Sequence, residues 1–453
     1  MKTDVLIIGS SAAGLVAATT AKRVYSNKDV LVITKQEKTL IPCGIPYVFG
    51  SVDSTNNDIL PAEKAFAANG INMIHDEVKS INCHEKIVKL SSGEVISFEK
   101  LILGTGSVPT HPTWLTGTEL NNVFFVPKDK VYLDEMQQKI GNCKRVAVIG
   151  AGFIGVELSD ELKKIGKEVF LIEKLPSILG LAFDPEFGEI AEELLKSRGV
   201  EIITGQGITE IQGKTQVEKV IFEDGNSLEV DAVVMAMGYQ PNSELAIACG
   251  LDVSKTGFIK VDEYMRTENP DVFAVGDCAE KRDFVTRKPS PIMLASTACA
   301  EARIAGMNLY KLSAIKTFSG TISIFATAIG NTGIGVAGLT ESVARKEGFD
   351  IVVGVFEGID RHPGTLADTH KQKVKLIVGK ESGVILGGEV AGGLSIGELT
   401  NTIGIIIQNR MSINSLLTAQ IGTHPLLTAS PAAYPLIKAA EDASNKIMQF
   451  FNK

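Results

Sequence analysis

The 453-residue chain contains no C-x-x-C pair, and its six cysteines, at positions 43, 83, 143, 249, 278 and 299, follow no regular spacing. A disulfide framework and a structural zinc site are therefore not expected, and in a reducing compartment a cysteine with a purpose is expected to be a reactive thiol. The six histidines form no H-E-x-x-H or comparable ligand spacing, so no metal is expected. Basic blocks are absent too. A net charge of −8 and a pI near 5.5 offer no electrostatic footprint for nucleic acid. Apolar runs such as Ile403 to Ile407 fall far short of a membrane span. The chain enters a strand at once, without the succession of a secretory leader, and a cytoplasmic protein is expected.

Hydrophobic content of 44% with 22% charged residues is that of a globular protein, and the length asks for two or three domains. Asp4 to Gly9 is a short apolar run that passes into Gly9-Ser10-Ser11-Ala12-Ala13-Gly14 and an alanine-rich helical stretch to about Val24. Glycine allows the chain to double back, and small residues let a helix N-terminus approach a pyrophosphate. The middle glycine of this fingerprint is replaced by Ser11. The following strand, Val30 to Ile33, ends in Thr34-Lys35 where an acid would hold a ribose, with Glu37 close by.

A second fingerprint is complete. The strand Arg145 to Ile149 leads into Gly150-Ala151-Gly152-Phe153-Ile154-Gly155, a helix follows through Lys164, and the strand Glu168 to Ile172 ends in Glu173. An acid at that spacing takes the ribose hydroxyls. It also repels the extra phosphate of NADP and so favours NADH, while Lys174 leaves NADPH open. Two such units in one chain suggest one flavin and one nicotinamide. Leu101 to Gly106, carrying Thr105, and Val233 to Gly238 read as strands that close these units. Thr267 to Asp277 ends in an acid after a glycine, placed to accept a hydrogen bond from a flavin ribityl hydroxyl. Pro42-Cys43-Gly44-Ile45-Pro46-Tyr47 reads as a rigid turn, with prolines and glycine fixing the thiol in one place.

Together with Gly338-Leu339-Thr340-Glu341, these motifs resemble the pyridine nucleotide-disulfide oxidoreductases. The match is to the single-cysteine branch that contains NADH oxidases, NADH peroxidases and coenzyme A disulfide or persulfide reductases. The resemblance implies an α/β fold with two Rossmann-like dinucleotide-binding domains, for FAD and NAD, and a C-terminal α+β dimerisation domain. It places the FAD domain at 1–112 and 248–325, the NAD(P)H domain at 113–247 and the dimerisation domain at 326–453, and it implies a homodimer with a shared active site.

It further implies that electrons pass from NADH through FAD to Cys43. Oxidases and peroxidases of the branch carry a histidine in the first glycine loop, where this chain has Ala12. Sulfur reduction is therefore the expected activity, on coenzyme A disulfide, coenzyme A persulfide or polysulfide. An NADH oxidase making water or peroxide from O2 is the first alternative, and a flavin redox sensor or electron-relay partner protein is the second.

Glu157 resembles the glutamate that places the nicotinamide ring, and reads equally as a residue suited to a helix N-terminus. His424, in Thr423-His424-Pro425, resembles the histidine that reaches across a dimer as acid or base, and otherwise caps a turn. Tyr434 could offer its hydroxyl to the same site, while Tyr47 reads as packing beside the flavin. Ala295 and Thr297 resemble a helix start aimed at the flavin pyrimidine edge. Lys22 and Arg23 would meet coenzyme A phosphates, or simply suit the dipole of a solvated helix end.

Overall fold

The computed structural model describes residues 1–312 and 317–451. Val5–Ile8 is apolar and buried at every position, the pattern of a strand covered on both faces. It lies at the centre of a five-stranded parallel sheet in the order Val272–Ala274, Lys100–Leu103, Val5–Ile8, Val30–Thr34, Asn72–His75. A second parallel sheet repeats the plan in the order Glu201–Thr204, Glu168–Glu173, Arg145–Ile149, Ala232–Met235, Val123–Phe125. In each, the strand entering a glycine loop is central, so its C-terminal end opens where the crossovers diverge.

The chain crosses between the two units along Ser107–Pro109 and returns along Tyr239–Pro241, which pair antiparallel. After that return it supplies Val272–Ala274 to the first sheet. A third, antiparallel sheet runs in the order Phe325–Ile329, Thr332–Gly338, Ile385–Gly392, Lys371–Gly379, Ile351–Ile359. The helices Ile396–Gln408 and Pro435–Phe451 pack on it around Val374, Leu376, Ile403 and Leu436. The α/β fold with an α+β C-terminal unit is therefore as expected. No helix among the described residues is long and apolar enough to cross a membrane.

The second and third units are joined by a buried cluster of charges. Lys375 lies 2.8 Å from Asp184, 2.5 Å from Glu186, 3.1 Å from Glu341 and 3.7 Å from Glu389. Asp184 also accepts the backbone N–H groups of Glu341 and Ser342 at the start of a helix. Burial, then the neighbouring Asp184, pushes the Glu389 carboxyl up to about 9, so it is protonated at neutral pH. The carboxyl groups of Asp184, Glu186 and Glu389 converge closely enough for a cation, and the Lys375 ammonium lies among them.

Removing one partner of such a cluster leaves buried charge uncompensated. Lys375→Met should therefore lower stability by about 3–5 kcal/mol, read from the urea midpoint of the full chain. An unchanged midpoint would show that the cluster does not hold the two units together.

Candidate active site

Both glycine loops meet their helices without a gap. Gly9 and Gly150 take φ of +110° and +100°, a conformation that side chains rarely adopt. A Cβ on Gly14 or Gly155 would collide with the carbonyl of Gly9 or Gly150. The helix Ala12–Val24 starts at Ser11 and the helix Phe153–Lys164 at Gly152, each without a side-chain cap and without an acid in its first turn. Their first N–H groups are thus left without a side-chain cap, as a pyrophosphate needs. A Cβ on Gly152 would point into open space. On this evidence the residues present fit two dinucleotides.

The strand ends differ. Thr34 is buried and its hydroxyl accepts from Ser10 at 3.0 Å, knitting the first loop to its neighbouring strand, while Lys35 is exposed. Glu173 accepts from the N–H groups of Ala151 and Leu175, both at 2.8 Å, which fixes its carboxylate against the second loop. Lys174 turns to Glu223 at 2.8 Å. The helix Ala295–Met307 likewise begins without a side-chain cap, its Thr297 hydroxyl bonded to Thr321 at 3.0 Å.

Pro42–Phe49 forms a 3-10 helix of eight residues, where the sequence reads as a rigid turn. Its bonds are weak in kind, and Pro46 lacks a donor, so its position is set from outside. A Cβ on Gly44 would collide with the buried Asp58 carboxylate, whose Oδ2 finds no hydrogen-bond partner among the described residues. At the other end, Glu161 accepts from the Ser51 N–H and from the Ser51 hydroxyl at 3.0 Å.

Glu157, one turn before Glu161 on the same helix, accepts from Thr327 at 2.9 Å and faces the Tyr47 phenol. Tyr47 is thus part of a polar contact, not packing alone. Glu157 lies beyond the first turn of its helix, which removes the reading in which it serves only the helix N-terminus. Burial pushes its carboxyl up to about 7, with the Thr327 and Tyr47 hydrogen bonds opposing.

The Cys43 side chain reaches solvent, yet enough protein surrounds it that burial raises its thiol above the usual value. The charge of Glu157 adds to this, Lys128 opposes it, and Asp277 and Asp58 add again. Asp277 follows the strand Val272–Ala274 and accepts from Ser107 at 2.7 Å and Lys128 at 2.8 Å. Burial works against its charge, but Lys128, the Ser107 hydroxyl and Lys281 together outweigh it and hold the carboxyl below the usual range. Lys128 also lies over the Tyr239 ring, 5.3 Å from its centroid. Sequence reasoning passes over Lys128. It belongs to no motif, and 149 positions separate it from Asp277.

Other expected residues stand apart from this group. Lys22 donates to the carbonyls of Ser26 at 3.2 Å and Lys28 at 2.9 Å, so its ammonium closes the helix end, the plainer of its two readings. Arg23 is exposed at the same end. His424 is exposed, and its Nδ1 accepts the Leu426 N–H at 3.2 Å. The capped turn is real, and it commits one ring nitrogen. None of the charged groups acting on Cys43 within the chain comes from that loop. Tyr434 is half-buried against the C-terminal core, and burial raises its phenol.

The family model described as pyridine nucleotide-disulphide oxidoreductase matches residues 3–302, and that of the same family's dimerisation domain matches residues 324–433. A Methanocaldococcus jannaschii protein named NADH oxidase is 32% identical over 456 residues, covering 98% of this chain and 99% of that one. A Pyrococcus horikoshii protein named NAD(P)H coenzyme A polysulfide/persulfide reductase is 32% identical over 399 residues, covering 86% and 88%. Among solved structures, an NAD-dependent persulfide reductase from A. fulgidus superposes with a TM-score of 0.91 at 28% identity, covering 99% of this chain and 84% of that one.

Glu157 carries the prediction from this geometry. Its carboxyl is pushed up to about 7 in the folded chain, above the ordinary value of 4.5, so across that window the native state holds a proton the unfolded chain has lost, and stability falls as pH rises. Glu157→Gln should make the fall in unfolding temperature between those pH values shallower. An unaltered slope would mean that Glu157 ionises as a solvated carboxyl.

Proposed function

The chain belongs to the pyridine nucleotide-disulphide oxidoreductase family, an FAD-dependent NAD(P)H oxidoreductase, and from that premise we propose that it reduces an external sulfur through Cys43. The acceptors proposed are coenzyme A disulfide, coenzyme A persulfide or polysulfide. The observation that carries this reading is the isolation of the Cys43 thiol. Cys83 and Cys249 pair with each other, Cys143 and Cys278 are buried, and Cys299 lies 4.0 Å from the Ala12 carbonyl. A sulfur partner for Cys43 would therefore come from outside the chain. The groups acting on it are carboxylates and one lysine, with no histidine, which suits sulfur exchange better than a peroxide cycle.

When bound, the flavin supplies two-electron transfer between the reduced nicotinamide and sulfur. The first helix N-terminus and Asp277 would hold it, with Thr105, Gly106, Ala295 and Thr297 around it. The second helix N-terminus, Glu173 and Gly238 would hold the nicotinamide dinucleotide, and Glu157 would orient its reacting ring. Lys128 keeps Asp277 charged and offers positive charge to a thiolate at Cys43. In a homodimer, His424 of one chain is proposed to protonate the sulfur leaving at the site of the other; the proton donor is the imidazolium, so the Leu426 N–H must first leave Nδ1, and Nε2 faces the sulfur. Arg23 remains as a cation for the coenzyme A phosphates.

The similarity to proteins named NADH oxidase keeps a second reading in view, in which O2 is the acceptor. Anaerobic stopped-flow with NADH followed by coenzyme A disulfide or polysulfide separates the two. Cys43→Ser should abolish sulfur reduction while leaving flavin reduction by NADH intact, and full retention of sulfur turnover would overturn the proposal. His424→Ala should cost about 10²-fold or more in turnover if it acts as the acid, whereas a loss below about twofold would remove it from that role.

A further inference from the structure

Cys83 and Cys249 sit 166 residues apart in the chain, and their Sγ atoms lie 3.4 Å apart. Cys83 follows the strand Val78–Asn82 in the turn that leads to Ile87–Leu90. Cys249 ends the helix Glu244–Ala248, the first element after the chain returns from the second sheet unit along Tyr239–Pro241. Both side chains are half-buried against the core of the first unit, beside Ile81, Ala246 and Leu251. Neither thiol belongs to the group around Cys43, and no part of the proposed reaction uses them.

The two sulfurs are not equivalent. The Cys83 S–H points to the Cys249 sulfur, while the Cys249 S–H faces the Ala246 carbonyl at 3.3 Å. The Cys83 hydrogen bond and the backbone N–H of Leu251 favour a thiolate at Cys249, against burial and the charge of Glu268. Cys83 is driven the other way by the same contact. Because its sulfur accepts the Cys83 S–H, Cys249 is the better placed of the two to attack, with Cys83 adjacent to resolve it.

We propose that Cys83 and Cys249 form a reversible intramolecular disulfide, a second redox site on this chain whose oxidant is a hydroperoxide. The Cys249 thiolate attacks the terminal peroxide oxygen and the O–O bond breaks. Cys249 becomes a sulfenic acid, and the leaving oxygen departs as water or an alcohol after taking a proton. Cys83, deprotonated, then attacks the Cys249 sulfur; the S–S bond forms, the S–O bond breaks and water leaves. In sum, two thiols and one hydroperoxide give one disulfide, one water and one further water or alcohol, the thiols losing two electrons and the peroxide gaining them. The sulfurs must close from 3.4 Å to about 2.05 Å. Both residues sit at turn positions, where side-chain torsions and small backbone shifts can supply that movement.

The bond would close a loop holding the whole second sheet unit and tie its return segment to the first unit. A cross-link of that span constrains the unfolded chain strongly. Oxidation should therefore raise the unfolding temperature, and a thiol reductant should reverse the rise.

The test uses the flavin-loaded full chain, exposed anaerobically to equimolar hydrogen peroxide, alkylated and mapped by peptide mass. The expected result is a peptide joining Cys83 to Cys249, two hydrogens lighter than the separate peptides, formed within one chain and lost on reduction. Cys83→Ser should instead leave Cys249 as a sulfenic acid that a dimedone probe captures, without the rise in unfolding temperature. The proposal is overturned if both cysteines are alkylated in full after peroxide, if Cys249 is oxidised in the wild type while Cys83 remains free, or if the linkage joins two chains. Flavin absorbance confirms in each case that the variant is folded.

Discussion

Two carboxylates one turn apart on a single helix hold the thiol of this protein where it is. Glu157 and Glu161 both leave the helix Phe153–Lys164 toward the helix Pro42–Phe49, the first meeting Tyr47 and the second Ser51. The spacing of four residues puts them on one face. An eight-residue 3-10 helix has little rigidity of its own, and a proline inside it removes a donor. Its geometry is borrowed from Asp58 beneath Gly44 at one end and from the second sheet unit at the other. The consequence is that the loop that would hold a nicotinamide and the thiol that would receive its electrons share one rigid element.

That mounting sets the electrostatics of Cys43. Three carboxylates and one ammonium act on it, and burial adds to the carboxylates, so the protonated thiol is favoured over the thiolate relative to a free cysteine. A thiolate formed there by cleavage of an S–S bond is more basic and more nucleophilic than one stabilised by several cations, and a poorer leaving group. Glu157, titrating near neutrality, sheds part of the repulsion when it is protonated. Lys128 is the counterweight, held by Asp277 and the Tyr239 ring. Such an arrangement suits a sulfur that attacks and is regenerated, more than one that must stay ionised at rest.

What could be read from the chain alone was local. Both glycine loops, the strands before them and Glu173 are contiguous patterns whose physics acts over a few residues, and their places at the centres of two parallel sheets follow. The single-cysteine motif was equally visible, although its prolines suggested a turn where a helix forms. What escaped was contact between units. Lys128 with Asp277, Glu161 with Ser51, Lys375 among its carboxylates, and Cys83 with Cys249 each join residues far apart in sequence. No periodicity encodes such pairs, because each partner, taken alone, is an ordinary surface lysine, helix glutamate or small hydrophobe. Lys22 shows the opposite case, since a basic residue near a helix end has a local use that needs no ligand.

The C-terminal unit enters the site in two ways that differ in kind. Thr327, on the first strand of the third sheet, already touches Glu157 within one chain, so movement of that unit would alter the proton held at Glu157. His424 has no such route. It stands on an exposed loop beside Leu426 and Leu427, which are 53% and 69% exposed, while Met448 is exposed on the last helix. Apolar side chains left in water on a unit of the dimerisation type argue for cover by a second chain. Cover at Leu426 and Leu427 would bring the neighbouring His424 close to that chain. Were the proposed transfer from His424 to operate, the histidine and the thiol would meet only in an assembled dimer, and dilution to monomer should silence it while leaving each chain's nucleotide loops intact.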